Sequence, residues 1–190
     1  MIEVLDDFLN PSQHEDLCNY FMGNYDAGDI ANSCCWIFND GISYKGDGHF
    51  QHIHQIFSNH TIISPAWPLV RPILEKEEAI AIARIKANSI TRTEELMVFE
   101  HAFHCDFAPT MGDLTTAIYY INTCDGYTLF EDGTKVESVT NRLLKFPSNM
   151  KHTGTSCTDK DRRILINLNY LSGRVSSTKD EFFSCLQQDS

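Results

Sequence analysis

The sequence predicts a mostly β protein, a sandwich or jelly roll of short strands that is supported by helices. Two observations carry this prediction. Helix-start signals dominate the first 79 residues, and from residue 80 onward short strand-like segments follow one another between turn residues. Helices do not alternate with these strands, so an all-β core with helical support is favoured over a parallel α/β sheet.

The first predicted helix begins after Asn10. Asn10 is a favourable N-cap, Pro11 suits the first helical position, and Gln13 sits where a capping box requires it. Apolar residues then recur at helical spacing: Leu17, Tyr20 and Phe21. A Gly/Asp-rich turn region, "NDGISYKGDGHF", follows some distance later.

A second helix is expected in "SPAWPLVRPILEKEEAI", opened by Ser64 and Pro65. Pro68 still fits a first turn, whereas Pro72 is expected to kink or restart the helix, because proline removes a backbone donor.

The β-rich part begins with "IAIARIKANSI". Strand alternation places Arg84, Lys86 and Asn88 on one face and small or apolar residues on the other. Further strands are predicted in "LMVFEHAFHCDF", "TTAIYYINT", "GYTLFED", "RLLKFPS" and "RRILINLNYL". We therefore expect one domain over 1–190, with helical support over about 1–79, a core over about 80–171, and a tail, 172–190, that holds a short outer helix.

Composition narrows the function classes. The 190 residues include 15 Lys+Arg against 26 Asp+Glu, a net charge of −11, which disfavours nucleic acid and anionic membranes as partners. No apolar run reaches the ~20 residues of a membrane span, and the N-terminus does not resemble a signal peptide. Seven cysteines without a C-x-x-C pair favour a reduced, cytoplasmic protein. Nothing in the sequence indicates an oligomeric state.

Two His-x-Asp patterns occur, and only one suits a metal. His14 and Asp16 lie in the first predicted helix, where residues two apart diverge by about 200°. His104 and Asp106 lie in a predicted strand, where residues two apart share a face. His101, three residues before His104, is expected to face the other way.

A third ligand has to come from elsewhere in the fold. His152 is the candidate, since it follows a strand in the β-rich part, and two histidines with one carboxylate form the facial triad of non-haem Fe(II) oxygenases. His52 and His54 are a weaker pair for substrate contact or adventitious metal. A short His-x-Asp pattern is common, and a satisfied polar pair is the competing interpretation.

Several motifs in order resemble the Fe(II)/2-oxoglutarate-dependent oxygenase superfamily, and its prolyl-4-hydroxylase-like branch in particular. They are "HCDF", "AIYYIN", "GYTLFEDG", "NRLLKFPSNMKHTGTS" and "RRILINLNYL". The resemblance covers roughly residues 80–171 and implies a double-stranded β-helix (jelly-roll) core with the N-terminal helices packed on one sheet. It also implies that His104, Asp106 and His152 are iron ligands.

The family anchors the far carboxylate of 2-oxoglutarate with a basic residue on the last core strand. Here Arg162 and Arg163 compete. Arg163 shares its face with Asn167 and Asn169, whereas Arg162 shares its face with apolar residues, so alternation favours Arg163. The fork of an arginine also suits a carboxylate.

The resemblance nominates further cosubstrate-binding residues. The second tyrosine of "IYYIN", Tyr120, would bond the same carboxylate, although a core tyrosine is the commoner fate. Asn167 and Thr155 are lesser candidates. The face that carries Arg84 and Lys86 is expected either to line the mouth of the site or to face solvent.

The implied activity is hydroxylation of an unactivated C–H bond by O₂, coupled to decarboxylation of 2-oxoglutarate to succinate and CO₂, with ascorbate as a reductant of the iron. Asp106 argues against halogenation, because related halogenases lack this carboxylate. The substrate stays open between a prolyl residue of a peptide or protein and a free amino acid, other small molecule or nucleobase. A jelly-roll metal-binding module without turnover is the remaining alternative. Loops 41–60 and 89–100 are expected to determine substrate specificity.

Overall fold

The structure is a computed structural model that describes residues 1–23, 34–107 and 114–173. Its two α-helices are α1 (Pro11–Met22) and α2 (Trp67–Lys76). The strands before the core are β1 (Glu3–Leu5), β2 (Ile37–Asn39), β3 (Gln51–Ser58) and β4 (Thr61–Ile62). The later strands are β5 (Ala79–Thr91), β6 (Thr115–Tyr120), β7 (Tyr127–Phe130), β8 (Lys135–Glu137), β9 (Arg142–Pro147), β10 (His152–Gly154) and β11 (Arg162–Ser172).

Two antiparallel sheets face each other. The large sheet has the order β1-β9-β6-β11-β5-β3-β2, with β4 paired to β3, and the small sheet has the order β10-β7-β8. Buried residues from both sheets meet between them: Ile118, Tyr120, Phe130, Val136, Leu144, Phe146 and Leu165. This arrangement confirms the predicted jelly-roll core.

The helices cover the outer face of the large sheet, as predicted. Leu17 and Phe21 of α1 and Ile73 of α2 are fully buried in one cluster with outward-facing strand residues such as Ile85 and Tyr119. Burying these apolar side chains is the main stabilisation of the layer. The alternation read from the strands therefore separates two interiors, one under the helices and one between the sheets.

The cap of α1 is found as expected. The side chain of Asn10 accepts a hydrogen bond from the backbone N–H of Gln13 at 2.9 Å, and Pro11 occupies the first turn. The helix ends at Gly23, whose φ of 72° lies in the left-handed region that favours glycine.

Helix α2 follows the expectation in part: Pro68 lies in its first turn, but Pro72 does not restart it. It begins at Trp67, after Ser64 accepts a bond from the N–H of Ala66, and it continues through Pro72 without a restart. Buried Val70, Ile73 and Leu74 hold it on the sheet, so packing outweighs the lost backbone hydrogen bond.

The first 79 residues are less helical than the sequence suggests. They contain strands β1 to β4 as well as the helices, and β3 pairs with β5 along the large sheet. Short strands of mixed polarity such as Ile37–Asn39 show no clear alternation of polar and apolar residues. They form because they pair with a neighbouring strand, so the local sequence does not predict them.

The strand predicted in "LMVFEHAFHCDF" is wrong. A 3₁₀ turn occupies Glu100–Ala102, and only single bridges, Val98 with Thr155 and His104 with His152, connect this stretch to the fold.

The predicted tail helix lies outside the described residues. Within the described ranges, no helix is long and apolar enough to cross a membrane, and the six described cysteines are free.

Candidate active site

A narrow cavity opens between the two sheets. Its volume is about 50 Å³. Its polar and charged lining comes from both sheets and from the stretch between β5 and β6: Gln51, Lys86, Asn88, His104, Asp106, Thr128, His152, Thr153, Arg163 and Asn167.

His104 and His152 are brought together by backbone pairing. Each donates its N–H to the other's carbonyl at 3.0 Å, as the two partners of an antiparallel bridge. Directly opposite residues of such a bridge project to the same side, so their ring centroids lie 4.8 Å apart.

Backbone carbonyls set the orientation of both rings. Nδ1 of His104 lies 2.8 Å from the carbonyl of Ala102, and Nδ1 of His152 lies 3.1 Å from that of Met150. Because a carbonyl only accepts, each Nδ1 carries the proton and each Nε2 keeps a free lone pair, the arrangement of a metal-binding histidine.

Asp106 completes the cluster. Its carboxylate oxygens lie 3.9 Å from Nε2 of His104 and 3.9 Å from Nε2 of His152, and one potential ligand atom from each of the three residues lies within 4.8 Å of the others. Two neutral imidazoles and one carboxylate on one side fit a divalent metal such as Fe(II).

The surroundings of Asp106 keep it ionised. Arg84 donates to Oδ1 at 2.8 Å, and Oδ2 accepts from Thr116 at 2.9 Å and from Asn169 at 3.1 Å. Burial opposes ionisation, but the charges of Arg84 and of His152 when it is protonated, together with the bonds from Asn169 and Thr116, lower the Asp106 pKa to about 2. Burial also lowers the pKa of His152, which favours its neutral, metal-binding form.

His101 lies outside this cluster, but not for the reason that strand alternation supplies. It is exposed within the 3₁₀ turn, and the chain then bends so that His104 and Asp106 face the cavity. His14 is also elsewhere: Nδ1 lies 2.7 Å from the hydroxyl of Tyr119, beneath α1. His54 bonds Ser64 at 2.6 Å, and neither it nor His52 belongs to a metal-binding group among the described residues.

Arg163 lies on β11 at the other end of the cavity. Its side chain is only 1% exposed, yet it has no carboxylate partner in the described part of the chain. It donates to the hydroxyls of Ser138 at 2.6 Å and Thr128 at 3.1 Å, and to the carbonyl of Thr155 at 3.4 Å. A buried cation without an anion is costly, so this position suits an anionic ligand.

Two glycines make room for Arg163. A side chain at Gly126 would meet Cδ of Arg163 at 2.7 Å and the carbonyl of Ser156 at 2.5 Å, and one at Gly154 would meet Nη1 at 3.1 Å. Arg162 lies outside the cavity, where it donates to the carbonyl of Met22. The two arginines therefore lie as strand alternation predicts.

Tyr120 and Thr155 lie behind the guanidinium instead of in the cavity lining. The Tyr120 hydroxyl bonds Thr128 at 2.8 Å, and its ring centroid lies 5.6 Å from Cζ of Arg163. The Thr155 hydroxyl donates to the carbonyl of Ser156 and accepts from the N–H of Tyr127. Both contact Arg163 or its partners, and direct contact with the cosubstrate remains a prediction for each.

The polar face of β5 belongs to the site. Lys86 and Asn88 line the cavity, and Arg84 bonds Asp106 and Asn169. Asn167 donates to Asp106 at 3.3 Å. Its Oδ1 and that of Asn88 are buried without a partner, so the cavity offers acceptors to a ligand.

Sequence reasoning missed three supporting residues: Thr116, Thr128 and Ser138. It placed Asn169 on the same face of β11 as Arg163 but did not predict its bonds to Asp106 and Thr116. Ser138 lies just after β8, and only the fold brings it to Arg163.

Comparisons with known proteins agree with this geometry. No protein-family model and no curated protein matches the chain. A prolyl hydroxylase from Trichoplax adhaerens, solved with a peptide fragment of the hypoxia-inducible factor oxygen degradation domain, matches with a TM-score of 0.56 and 16% identity, over 90% of this chain and 83% of that one.

Two further solved structures match. The non-haem α-ketoglutarate-dependent epimerase SnoN from nogalamycin biosynthesis has a TM-score of 0.57 at 10% identity, over 90% of this chain and 77% of that one. A viral collagen prolyl hydroxylase from Paramecium bursaria Chlorella virus-1 has a TM-score of 0.50 at 13% identity, over 89% and 88%. With its two facing sheets and the His104, Asp106 and His152 cluster between them, the chain has the fold of the Fe(II)/2-oxoglutarate-dependent oxygenases.

Proposed function

We propose that this protein is an Fe(II)/2-oxoglutarate-dependent dioxygenase that hydroxylates an unactivated C–H bond. Each turnover would consume one O₂ and one 2-oxoglutarate and would release succinate, CO₂ and the hydroxylated product. Support comes from the oxygenase fold and from one cavity that holds both a candidate metal triad and a buried cation.

Arg163 is the single observation that carries the proposal. A metal-binding module without turnover needs only His104, Asp106 and His152. It has no use for a fully buried arginine that lacks an anion among the described residues and lies in the same cavity. A dicarboxylate cosubstrate accounts for both ends of the cavity.

The protein's own residues would bind the metal and the cosubstrate and would orient them. His104, Asp106 and His152 would hold Fe(II), which when bound would supply the activation of O₂. Arg163, supported by Thr128 and Ser138, would bind the far carboxylate of 2-oxoglutarate. Tyr120 would stiffen that anchor through Thr128, and Asn167 would hold Asp106 in place.

The substrate is proposed to be a peptide, a protein or a small molecule, with a prolyl residue as one candidate. One structural neighbour was solved with a peptide fragment, and SnoN was solved with Fe³⁺, α-ketoglutarate and nogalamycin RO. Proteins of this fold therefore bind peptides in one case and a small molecule in another. We also propose a reducing compartment such as the cytoplasm, in keeping with the free described cysteines.

The test is a turnover assay on purified protein with Fe(II), ascorbate and 2-oxoglutarate. Succinate is measured with and without candidate prolyl peptides and free amino acids, and 2-oxoglutarate binding is measured separately. We expect binding and a basal release of succinate that His104→Ala abolishes and His101→Ala preserves. Absence of both binding and turnover would overturn the enzyme assignment.

A further inference from the structure

Lys86 is a cation within the cavity that the proposed roles do not use. It lies on β5, lines the cavity and is only partly exposed. In the described part of the chain it has neither a hydrogen bond nor an ion pair. Its neighbour on the same face, Arg84, already bonds Asp106 at 2.8 Å.

Strand register separates Lys86 from the Arg163 end of the cavity. Lys86 lies opposite Asn167 of β11, whereas Arg163 lies opposite Ile90 of β5. Four residues of strand correspond to about 13 Å. Asn167 donates to Asp106, so Lys86 sits at the level of the metal triad, not at the level of the Arg163 anchor.

The cavity is cationic although the chain carries a net charge of −11. Asp106 is the one carboxylate in the described lining, against Lys86 and Arg163, and Arg84 already pairs with Asp106. A dianionic cosubstrate would balance a divalent metal and leave the positive charge of the side chains uncompensated. Electrostatic complementarity thus favours one more anion.

Two hydrogen-bond acceptors accompany this cation. The Oδ1 atoms of Asn88 and Asn167 are buried and have no partner. The orientation of the Asn167 amide is set by Asp106, which requires Nδ2 to face it. A ligand that places an N–H or O–H beside its anionic group would satisfy all three side chains.

We propose that Lys86 binds a carboxylate of the primary substrate and that Oδ1 of Asn88 accepts a hydrogen bond from a neighbouring N–H or O–H of the same substrate. The substrate is accordingly an acid with a neighbouring N–H or O–H donor, such as a free amino acid or the C-terminal residue of a peptide. This inference rests on the proposed oxygenase function and deepens it by naming the substrate class.

The probes are N-acetyl amino acids with a free carboxylate and the matching C-terminal amides, which have nearly the same shape but replace the charged carboxylate by a neutral amide. Each pair is titrated calorimetrically into protein loaded with redox-inert Zn(II) and 2-oxoglutarate, so that the Arg163 end is filled first. The variants are Lys86→Met, Lys86→Arg and, as a matched surface control, Lys135→Met on β8.

We expect at least one acid to bind wild-type protein about tenfold or more tightly than its amide. Lys86→Met should erase that preference and change the Kd of 2-oxoglutarate less than about twofold, while Lys86→Arg and Lys135→Met keep the preference. The inference is overturned if no acid is preferred, or if Lys86→Met weakens 2-oxoglutarate itself tenfold, which would assign Lys86 to the cosubstrate.

Failure of the proposed function is a separate result. If 2-oxoglutarate does not bind wild-type protein under any metal condition, the oxygenase assignment fails. The same acid and amide pairs are then titrated into the unloaded protein, where a preference that Lys86→Met removes still supports the anion site, and its absence refutes it.

Discussion

Nε2 of His152 lies 3.9 Å from Oδ2 of Asp106, although His152 begins β10 and Asp106 lies in a bend that is distant from it in the chain. His152 pairs with His104 through the backbone, so all three side chains converge. This convergence makes the metal site testable by single substitutions.

We expect His104→Ala and Asp106→Ala each to reduce Fe(II) or Mn(II) affinity by at least about 100-fold, because each removes one of three protein ligands. His101→Ala and His14→Ala are the controls and should bind metal like the wild type. Affinity is measured by calorimetry under anaerobic conditions. Loss of metal binding in a folded His101→Ala protein would contradict the assigned triad.

Arg163→Met should raise the Kd of 2-oxoglutarate by about 30-fold or more, since losing one partner of a buried charge pair costs about 2 kcal/mol or more. Arg162→Met should change it little, because Arg162 lies outside the cavity. Equal effects of the two variants would reassign the anchor.

The same Arg163→Met variant should be as stable as the wild type, or more stable, in the absence of ligand. A buried cation without an anion destabilises the empty fold, and methionine fills a similar volume without a charge. In thermal unfolding, 2-oxoglutarate should raise the Tm of the wild type clearly more than that of the variant at the same concentration. A large loss of Tm in ligand-free Arg163→Met would show that this arginine serves mainly as a structural residue.

Tyr120→Phe should weaken 2-oxoglutarate by a few-fold, because the lost hydroxyl bonds Thr128, which in turn accepts from Arg163. Tyr119→Phe is a matched control on the opposite face of β6, where the hydroxyl donates to Asn141 at 2.8 Å. It should lower stability by about 1 kcal/mol and leave 2-oxoglutarate affinity unchanged. If Tyr120→Phe behaves in the same way, Tyr120 is a core residue.

Asp47 gives a pH-dependent prediction for the loop between β2 and β3. Its carboxylate accepts from the backbone N–H groups of Ile42 and Ser43 at 2.9 Å and of His49 at 3.1 Å. Burial alone would raise the Asp47 pKa, but these bonds lower it below the ordinary value of 3.8. The carboxylate therefore stabilises the fold above that value, and this stabilisation is lost as the pH falls through the depressed pKa.

Asp47→Asn should accordingly cost about 1–3 kcal/mol at pH 7, and the difference from wild type should shrink as the pH falls below about 4. Urea unfolding across this pH range measures both. Asp40→Asn, an exposed neighbour, is the control and should change little. A difference that stays constant down to pH 3 would exclude the charge as its cause.

Local sequence patterns were sufficient to predict structure where a helix cap or a regular strand alternation determines it. Asn10 and Pro11 predicted the start of α1, and alternation along β11 placed Arg163 inside and Arg162 outside. The stretch around His101 was misread, because its apolar and polar residues mimic a strand while only single bridges hold it to its neighbours.

By itself, the sequence determined the jelly-roll class, the two faces of β5 and β11 and the identity of the three candidate metal ligands. The two faces depend on strand periodicity, which is local. The candidate ligands came from motifs that resemble the oxygenase superfamily, since His104 and Asp106 do not lie in a regular strand. Only the tertiary structure decided that Lys86 and Asn88 line the cavity, that Arg163 has no carboxylate partner among the described residues, and that Tyr120 lies behind it. Burial and hydrogen-bond or ion-pair partners depend on contacts between residues of two different sheets. The order of residues along one strand contains no signal for such contacts.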